Sequence, residues 1–407
     1  MYRKLQSFFY LDLLIRPKSK SLQNLLMALK GIRVIELAGL APVPFCGMIL
    51  SDFGASVIRI DRVDRTKMFV NADRLGRGKQ SIALDIKQKE GLDIVRKMCS
   101  KADVLIEPFR PGIMEKLGLG PDKLLSENPK LVYARINGFG QNGPLSKKAG
   151  HDINYISMSG LLSFLGKKGD KPMHPVNLLA DFAGGGLTCA LGIVMALYER
   201  SISGKGQVVD NSMVEGSAYV GSWLWKSQDL RYIWGKERGG NTLDGGSAYY
   251  DTYETKDGKY VSIGALEPQF FQELLKGLGL EGKGIHQTDD PEQMRKTFQD
   301  IFLTKTRDEW THIFKDLDAC FSPILEPQEA PHHLHNIANK TFLKNEKGEY
   351  EPGPAPRLSR TPGASQVLAQ PSVGQHTVSI MRHLGYSDSD IDKLLKAGVI
   401  EQQNSKL

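Results

Sequence analysis

Three short segments of the sequence carry acid–base side chains beside glycine or proline. His151 and Asp152 are adjacent and follow a glycine, Asp181 stands shortly before three glycines, and Glu267 precedes Pro268. An imidazole titrates near neutral pH, and a carboxylate among apolar neighbours can take up a proton. These residue types therefore suit proton transfer to and from carbon.

Each of these residues also has a purely structural interpretation. His151 could be a hydrogen-bonded structural histidine, and Asp181 and Glu267 could only cap helices. The glycines 184–186 add a functional possibility, because a helix that begins at glycines exposes N–H groups which can stabilise negative charge. The motifs alone leave both interpretations open.

A fourth segment resembles the start of a dinucleotide-binding fold. A strand, a turn and a helix occupy residues 31–55, and Asp61 follows about where a ribose partner would stand. The turn GLAPVP lacks the second glycine that lets a pyrophosphate approach, so an NAD site is not supported. Arg62 could bind a phosphate or could be a solvated surface arginine.

The elements that must position these residues alternate between strand and helix. Predicted strands are 32–37, 56–61, 103–109 and 131–138, and predicted helices are 42–53, 90–100 and 121–127. This alternation predicts an α/β fold with a mostly parallel, doubly wound sheet. Residues 184–201 predict a long apolar helix, too short for a membrane span and therefore buried in the core.

The composition changes along the chain and predicts two domains. We expect a large domain from 27–228 that is completed by a return segment, 336–400, and a smaller α+β domain over 251–335. The Gly-rich stretch 229–250 is typical of a linker, and 401–407 forms a tail.

Composition also excludes several classes of protein. The chain is 41% hydrophobic and 24% charged, so it is neither collagen-like nor mostly disordered. Its four cysteines are scattered without a CxxC, which fits a reducing compartment and gives no zinc site. Residues 1–26 account for +4 of the net charge of +7, and no basic stripe follows, so nucleic-acid binding is not supported.

Both ends of the chain have the composition of targeting signals. Residues 1–26 are basic and nearly free of acids, as in a transit peptide; an upstream start codon before Met27 is the alternative. The chain finishes with Ser405, Lys406 and Leu407, which is the peroxisomal address read by an import receptor. We therefore expect a peroxisomal protein, with a mitochondrial pool if 1–26 is a presequence.

Taken together, the segments resemble a known family over the whole body from Met27 onward. Long collinear stretches carry this resemblance: GLAPVPFCGMILSDFGASVIRIDR, DRLGRGKQSIALDIK, EPFRPGIMEKLGLGP, AGHDINYISMSG, NLLADFAGGGLTCALGIVMALYER and GKGQVVDNSMVEG. They are similar to the family of class III CoA-transferases and α-methylacyl-CoA racemases, and to its racemase branch in particular. The family implies a Rossmann-like large domain, a small domain and an interlocked homodimer.

The resemblance also implies roles for individual residues. His151 and Asp181 match the two proton-transfer groups, Asp152 the acid that orients the histidine, and Glu267 a small-domain glutamate supplied by the partner chain. The segments implied to hold CoA are Arg62, Leu84, Asp85, Ile86, Lys87, and the run Gly150, His151, Asp152, Ile153, Asn154 and Tyr155; Phe109 and Arg110 are expected to line the same groove.

The implied reaction interconverts (2R)- and (2S)-2-methylacyl-CoA thioesters in the oxidation of branched fatty acids and bile-acid intermediates. It implies no cofactor, because CoA is part of the substrate. Two alternatives remain: a CoA-transferase with Asp181 as nucleophile, and an inert acyl-CoA carrier. The pair His151–Asp152 belongs to the racemase pattern and favours racemisation.

Overall fold

The computed structural model describes residues 27–63 and 73–403 of the 407-residue chain. Contacts divide the chain into two units. The first comprises the described parts of Met1–Ala149, Ala180–Gly216 and Lys340–Leu407. The second comprises Gly150–Leu179 and Ser217–Asn339. The predicted extension 1–26 and the terminal Ser405, Lys406 and Leu407 lie outside the described residues.

The strands form three sheets. Their bounds are β1 Arg33–Leu37, β2 Ser56–Arg62, β3 Gln80–Leu84, β4 Val104–Glu107, β5 Val132–Asn137, β6 Val208–Ser212, β7 Tyr250–Glu254, β8 Tyr260–Gly264, β9 Phe321–Pro323, β10 Phe342–Lys344, β11 Tyr350–Pro352 and β12 Ile400–Glu401. The first unit holds a seven-stranded sheet in the order β12-β3-β2-β1-β4-β5-β6 and the small pair β10–β11. The second unit holds the antiparallel sheet β7-β8-β9.

The helices connect and cover these sheets. They are α1 Pro42–Asp52, α2 Lys89–Cys99, α3 Ile113–Lys116, α4 Pro121–Glu127, α5 Asp152–Met158, α6 Thr188–Ser203, α7 Met213–Val220, α8 Ser222–Lys226, α9 Arg231–Trp234, α10 Pro268–Gly277, α11 Pro291–Phe302, α12 Arg307–Ile313, α13 Leu334–Asn339, α14 Thr377–His383 and α15 Asp388–Lys396. A π-helix, Leu178–Leu187, precedes α6.

The prediction of a mostly parallel α/β sheet is confirmed. Strands β1 to β6 pair in parallel, and only the short β12 runs antiparallel. Strands β4 and β5 are buried along their whole length because helices cover both faces of the sheet. One face packs on α1 and α6, through Leu50 and Ile193, and the other on α2 and α15, through Ile94 and Ile391.

A buried ion pair links the sheet to α1. Lys79 Nζ lies 2.8 Å from Glu36 Oε2 and donates to the Pro44 carbonyl at 2.8 Å. Burial raises the pKa of Glu36 to about 7, against the opposing effect of Lys79. Gly47 permits this approach, since a Cβ there would lie 1.7 Å from Glu36 Oε2.

The long apolar helix departs from the prediction in two ways. It begins at Leu178 rather than at residue 184, and it is buried on one side only. Along α6, Ile193 and Ala196 are buried whereas Tyr198 and Ile202 are more than 70% exposed. The prediction of a fully buried core helix was wrong for a single chain. Apolar residues on all sides of the helix gave no sign that one face is buried and the other exposed.

The extended helix also has the length and apolar composition of a membrane span. The stretch Leu178–Ser203 has 26 residues and a mean hydropathy of 1.7 in its most apolar window. Of that window, 39% is buried against the rest of the chain. This is weak evidence for a membrane span.

The second unit has its own aromatic core. Tyr253 stacks on Phe302 at 5.1 Å, and Phe302 contacts Trp310 edge-on at 5.1 Å. Residues 150–179 and 217–228, predicted within the large domain, group with this unit, as does the stretch 229–250. The stretch predicted as a linker contains the short helix α9.

Candidate active site

The predicted CoA-binding residues of the first unit lie at one edge of its sheet. Arg62 is the last residue of β2, Asp85 directly follows β3, and Phe109 and Arg110 follow β4 by two and three residues. Because these strands are parallel, their carboxyl ends meet at the same edge. Ligands of open α/β sheets bind outside the carboxyl ends of the strands.

The segment after β3 is a short turn built by one carboxylate. Asp85 Oδ1 accepts from the Lys87 N–H at 3.0 Å, and Asp85 Oδ2 accepts from Gln88 Nε2 at 3.1 Å. The side chain of Leu84 is buried in the core and Ile86 packs against that core, whereas Lys87 is exposed. Of this segment, Lys87 is therefore the side chain best placed for a ligand, and a contact with Leu84 would come from its main chain.

A buried ion pair that the sequence analysis missed shapes the segment after β4. Glu107 Oε2 accepts from the Phe109 N–H at 2.6 Å, and Glu107 Oε1 accepts from Arg135 Nε at 2.9 Å. Arg135 Nη1 also contacts Glu115 Oε1 at 3.0 Å. Burial raises the pKa of Glu107 to about 7. The sequence signal that could have found this ion pair is an acidic residue, Glu107, at the end of an apolar strand.

Asp181 lies in the first turn of the π-helix that leads into α6. Phe182 contacts Phe45 edge-on at 5.2 Å, and Phe45 belongs to the first turn of α1. That turn follows the carboxyl end of β1, so Asp181 lies near the sheet edge that carries Arg62 and Asp85. A hydrogen bond with Cys189 of α6, together with burial, raises the pKa of the Cys46 thiol well above its usual value, which marks how closely α1 and α6 pack.

The expected role of the three glycines as a helix start is wrong. Helical structure already begins at Leu178, so the amides of Gly184, Gly185 and Gly186 lie inside the helix. The glycines serve close packing instead: a Cβ on Gly186 would lie 2.8 Å from the Pro42 carbonyl and 2.7 Å from the Phe45 ring.

The other predicted catalytic residues belong to the second unit. His151 is exposed and stands immediately before α5, where its N–H donates to Asn154 Oδ1 at 3.0 Å. Asp152 is the first residue of α5 and is 97% buried, given its exposure of 3%. Tyr155 is buried, and its hydroxyl donates to the Gly150 carbonyl at 2.5 Å. Glu267 stands immediately before α10 and is exposed.

The structure thus places the predicted residues in two groups. The first unit carries Asp181 with the segments around Arg62, Asp85 and Phe109; the second carries the run 150–155 and Glu267. Within the described ranges 27–63 and 73–403, no cluster of three His, Cys, Asp or Glu side chains could hold a metal ion.

This fold and these site segments are those of one protein family. Residues 29–377 match the family model described as CoA-transferase family III. The chain belongs to this family, as the resemblance in its sequence predicted.

Individual relatives narrow the comparison. The chain is 52% identical to α-methylacyl-CoA racemase from Mus musculus over 384 residues, which cover 93% of this chain and 99% of the relative. It is 50% identical to the Homo sapiens racemase over 383 residues, with the same shares. A crystal structure of a CAIB/BAIF family protein from Brucella suis has a TM-score of 0.75 at 24% identity, covering 88% of this chain and 99% of that one; it supports the fold.

Adding a methyl group at Gly186 tests the packing role of the glycines. We expect Gly186→Ala to lower the free energy of unfolding of the first unit by about 1–3 kcal/mol, because the Cβ meets the main chain of α1. Chemical denaturation followed by far-UV circular dichroism measures this. All four tryptophans (Trp223, Trp225, Trp234 and Trp310) lie in the second unit, so their fluorescence reports on that unit separately.

Gly192→Ala is the matched control, since its Cβ would lie 2.9 Å from a methyl group of the Val209 side chain and would meet no main-chain atom of another element, and alanine favours helix. Equal stability of the two alanine variants would contradict the packing role of Gly186.

Proposed function

We propose that the protein is an α-methylacyl-CoA racemase that interconverts (2R)- and (2S)-2-methylacyl-CoA thioesters. The proposal rests mainly on the 52% identity to the mouse racemase over 93% of the chain. The segments with His151, Asp152 and Asp181 are present and stand at the beginnings of helices. The family resemblance of the sequence implies branched fatty acyl-CoA and bile-acid intermediates as the substrates, and we include them in the proposal.

The proposed reaction moves one proton across a carbon atom. One group takes the α-proton, the C–H electron pair becomes part of an enolate with the thioester, and the second group returns a proton to the opposite face. We assign these roles to His151 and Asp181, which exchange roles when the direction reverses, and we assign the orientation of His151 to Asp152. Proton transfer of this kind needs no redox cofactor, and CoA is part of the substrate.

The carboxyl edge of the first unit's sheet is the proposed CoA site. Arg62 and Lys87 are exposed there and can meet the phosphate groups with positive charge. Arg110 is exposed as well and donates to the Lys147 carbonyl at 3.3 Å, which holds its stem near the segment that leads to His151. The ring of Phe109 would line this groove, and we assign the main chain of 150–155, in the second unit, to CoA as well.

Transfer of CoA between carboxylic acids is the competing activity within the family. In that reaction Asp181 would attack the thioester carbonyl, release CoA and form a mixed anhydride. The reaction would leave His151 without a role, so the presence of the pair His151–Asp152 favours racemisation.

Deuterium uptake separates the two activities. In heavy water with one epimer of a 2-methylacyl-CoA, we expect the protein to incorporate α-deuterium while the epimer ratio moves toward equilibrium. His151→Ala and Asp181→Ala should each slow epimerisation by about 10²-fold or more, the usual contribution of a general acid or base. Mass spectrometry and chiral chromatography follow the two quantities.

Transfer of CoA to an added free acid, dependent on Asp181 and without deuterium uptake, would instead assign the protein to the transferase branch. An absence of both reactions would favour an inert acyl-CoA carrier.

We further propose that two copies form a homodimer and that Glu267 acts in the site of the other copy. The exposed apolar face of the long helix supports this, because monomers rarely expose so many large apolar side chains together. This face consists of Leu187, Leu191, Val194, Met195, Tyr198 and Ile202.

A charge on this face should separate the copies. We expect Tyr198→Glu to raise the dissociation constant of the dimer by about 10²-fold or more, since an unpaired buried charge costs several kcal/mol. Lys205→Glu introduces the same side chain at an exposed polar position and should leave the dimer intact. Sedimentation velocity measures both; a monomeric unaltered chain would refute the proposal.

We also propose a peroxisomal location, with the terminal Ser405, Lys406 and Leu407 bound by the import receptor. A fluorescent protein fused ahead of residue 1 should co-localise with a peroxisomal marker and lose that location when the three residues are deleted. A separate reporter carrying residues 1–26 alone tests the alternative mitochondrial pool.

A further inference from the structure

The helix that carries Asp181 changes its hydrogen bonding between Leu187 and Thr188, six to seven residues after the carboxylate. From Leu178 to Leu187 it is a π-helix, in which each carbonyl bonds to the fifth N–H along; from Thr188 it is an α-helix, in which the fourth N–H is used. Where the hydrogen bonding changes from the fifth to the fourth following residue, one main-chain carbonyl accepts no N–H of the helix. A transition of this kind therefore needs another donor for that carbonyl.

Two side chains supply such donors at this transition. Asn211 Nδ2 donates to the Gly184 carbonyl at 3.1 Å and to the Gly185 carbonyl at 3.2 Å. Thr188 Oγ1 donates to the same two carbonyls, at 3.2 Å for Gly185. The carbonyls of Gly184 and Gly185 thus each accept hydrogen bonds from two side chains, one in β6 and one in α6.

Asn211 connects this junction to the central sheet. It lies in β6, where its register partner is Ile136 of β5. Gly216 of α7 packs against the same place so closely that a Cβ there would lie 1.9 Å from the Gly184 carbonyl. The hydrogen bonds from Asn211 therefore fix the junction to the sheet, and the close approach of Gly216 fixes it to α7.

We infer that Asn211 and Thr188 are positioning residues for Asp181, because they hold the π-helical turns that set its direction. This inference rests on the proposed role of Asp181 in proton transfer. If the turns relaxed to α-helix, residues ahead of the junction would shift by about one position and rotate by about 100° around the axis. Asp181 lies ahead of the junction, whereas α6 behind it is held by the core.

The test compares inversion with exchange in the full-length chain. If Asp181 is misdirected, His151 can still remove an α-proton and return deuterium on its own face, so exchange without inversion continues for one epimer. A misplacement of about 1 Å costs about 10²-fold in rate. We therefore expect Asn211→Ala and Thr188→Val to slow inversion about 10²-fold and to raise the ratio of exchange to inversion at least about tenfold.

Two controls separate positioning from general destabilisation. Asn128→Ala removes a similar half-buried amide of the first unit, which donates to the carbonyls of Cys99 and Ala102 at 3.0 and 2.8 Å. It should keep the exchange-to-inversion ratio of the unaltered chain. Thr188→Ser retains the hydroxyl and should keep the ratio as well, and thermal unfolding of every variant reports folding.

The possible failures are distinguishable. An equal loss of exchange and inversion in Asn211→Ala and Thr188→Val, or an equal change of the ratio in Asn128→Ala, would refute the positioning role. Full inversion by Asp181→Ala would instead refute the proposed function of Asp181 itself.

Discussion

The candidate site depends on one packing constraint: the helix of Asp181 meets its neighbours with bare main chain. Gly186 faces Pro42 and Phe45 of α1, and Gly184 faces Gly216 of α7 at a separation that leaves no room for a Cβ. Protein interiors transmit such contacts because they are close-packed. The backbone of two other elements therefore holds this helix, together with the side chains of Asn211 and Thr188.

Buried charges hold the surrounding segments in a comparable way. Lys79 and Glu36 join β1 to the first turns of α1, and Glu107 joins Arg135 to the segment of Phe109. An ion pair of this kind adds little to stability against an apolar substitute, because both charges lose their water. Its effect is to specify one arrangement, since an acid buried without its partner would be strongly unfavourable. Both pairs lie next to segments that we assign to the substrate.

The periodicity of apolar residues and the positions of proline made much of the fold predictable from the sequence. The strands around Val34, Val57 and Val132 and the helix that begins at Pro121 lie where apolar runs and proline signals predicted them.

Three features of the structure were not predicted from the sequence. The π-helix begins at Leu178 because tertiary donors such as Asn211 stabilise it, and local propensity carries no sign of those donors. The exposed side of α6 was concealed by apolar composition all round. Residues 150–179 join the second unit through contacts distant in sequence, such as Arg238 with the Ser163 carbonyl.

A reaction that transfers a proton across a carbon atom demands two groups whose positions are fixed independently. The two groups to which we assign this role both stand at the start of a helix. Asp181 lies in the first turn of a helix anchored to the first unit's sheet, and His151 precedes a helix of the second unit whose own N-terminal residue, Asp152, is buried. A helix start directs a side chain while leaving it exposed enough to reach a substrate.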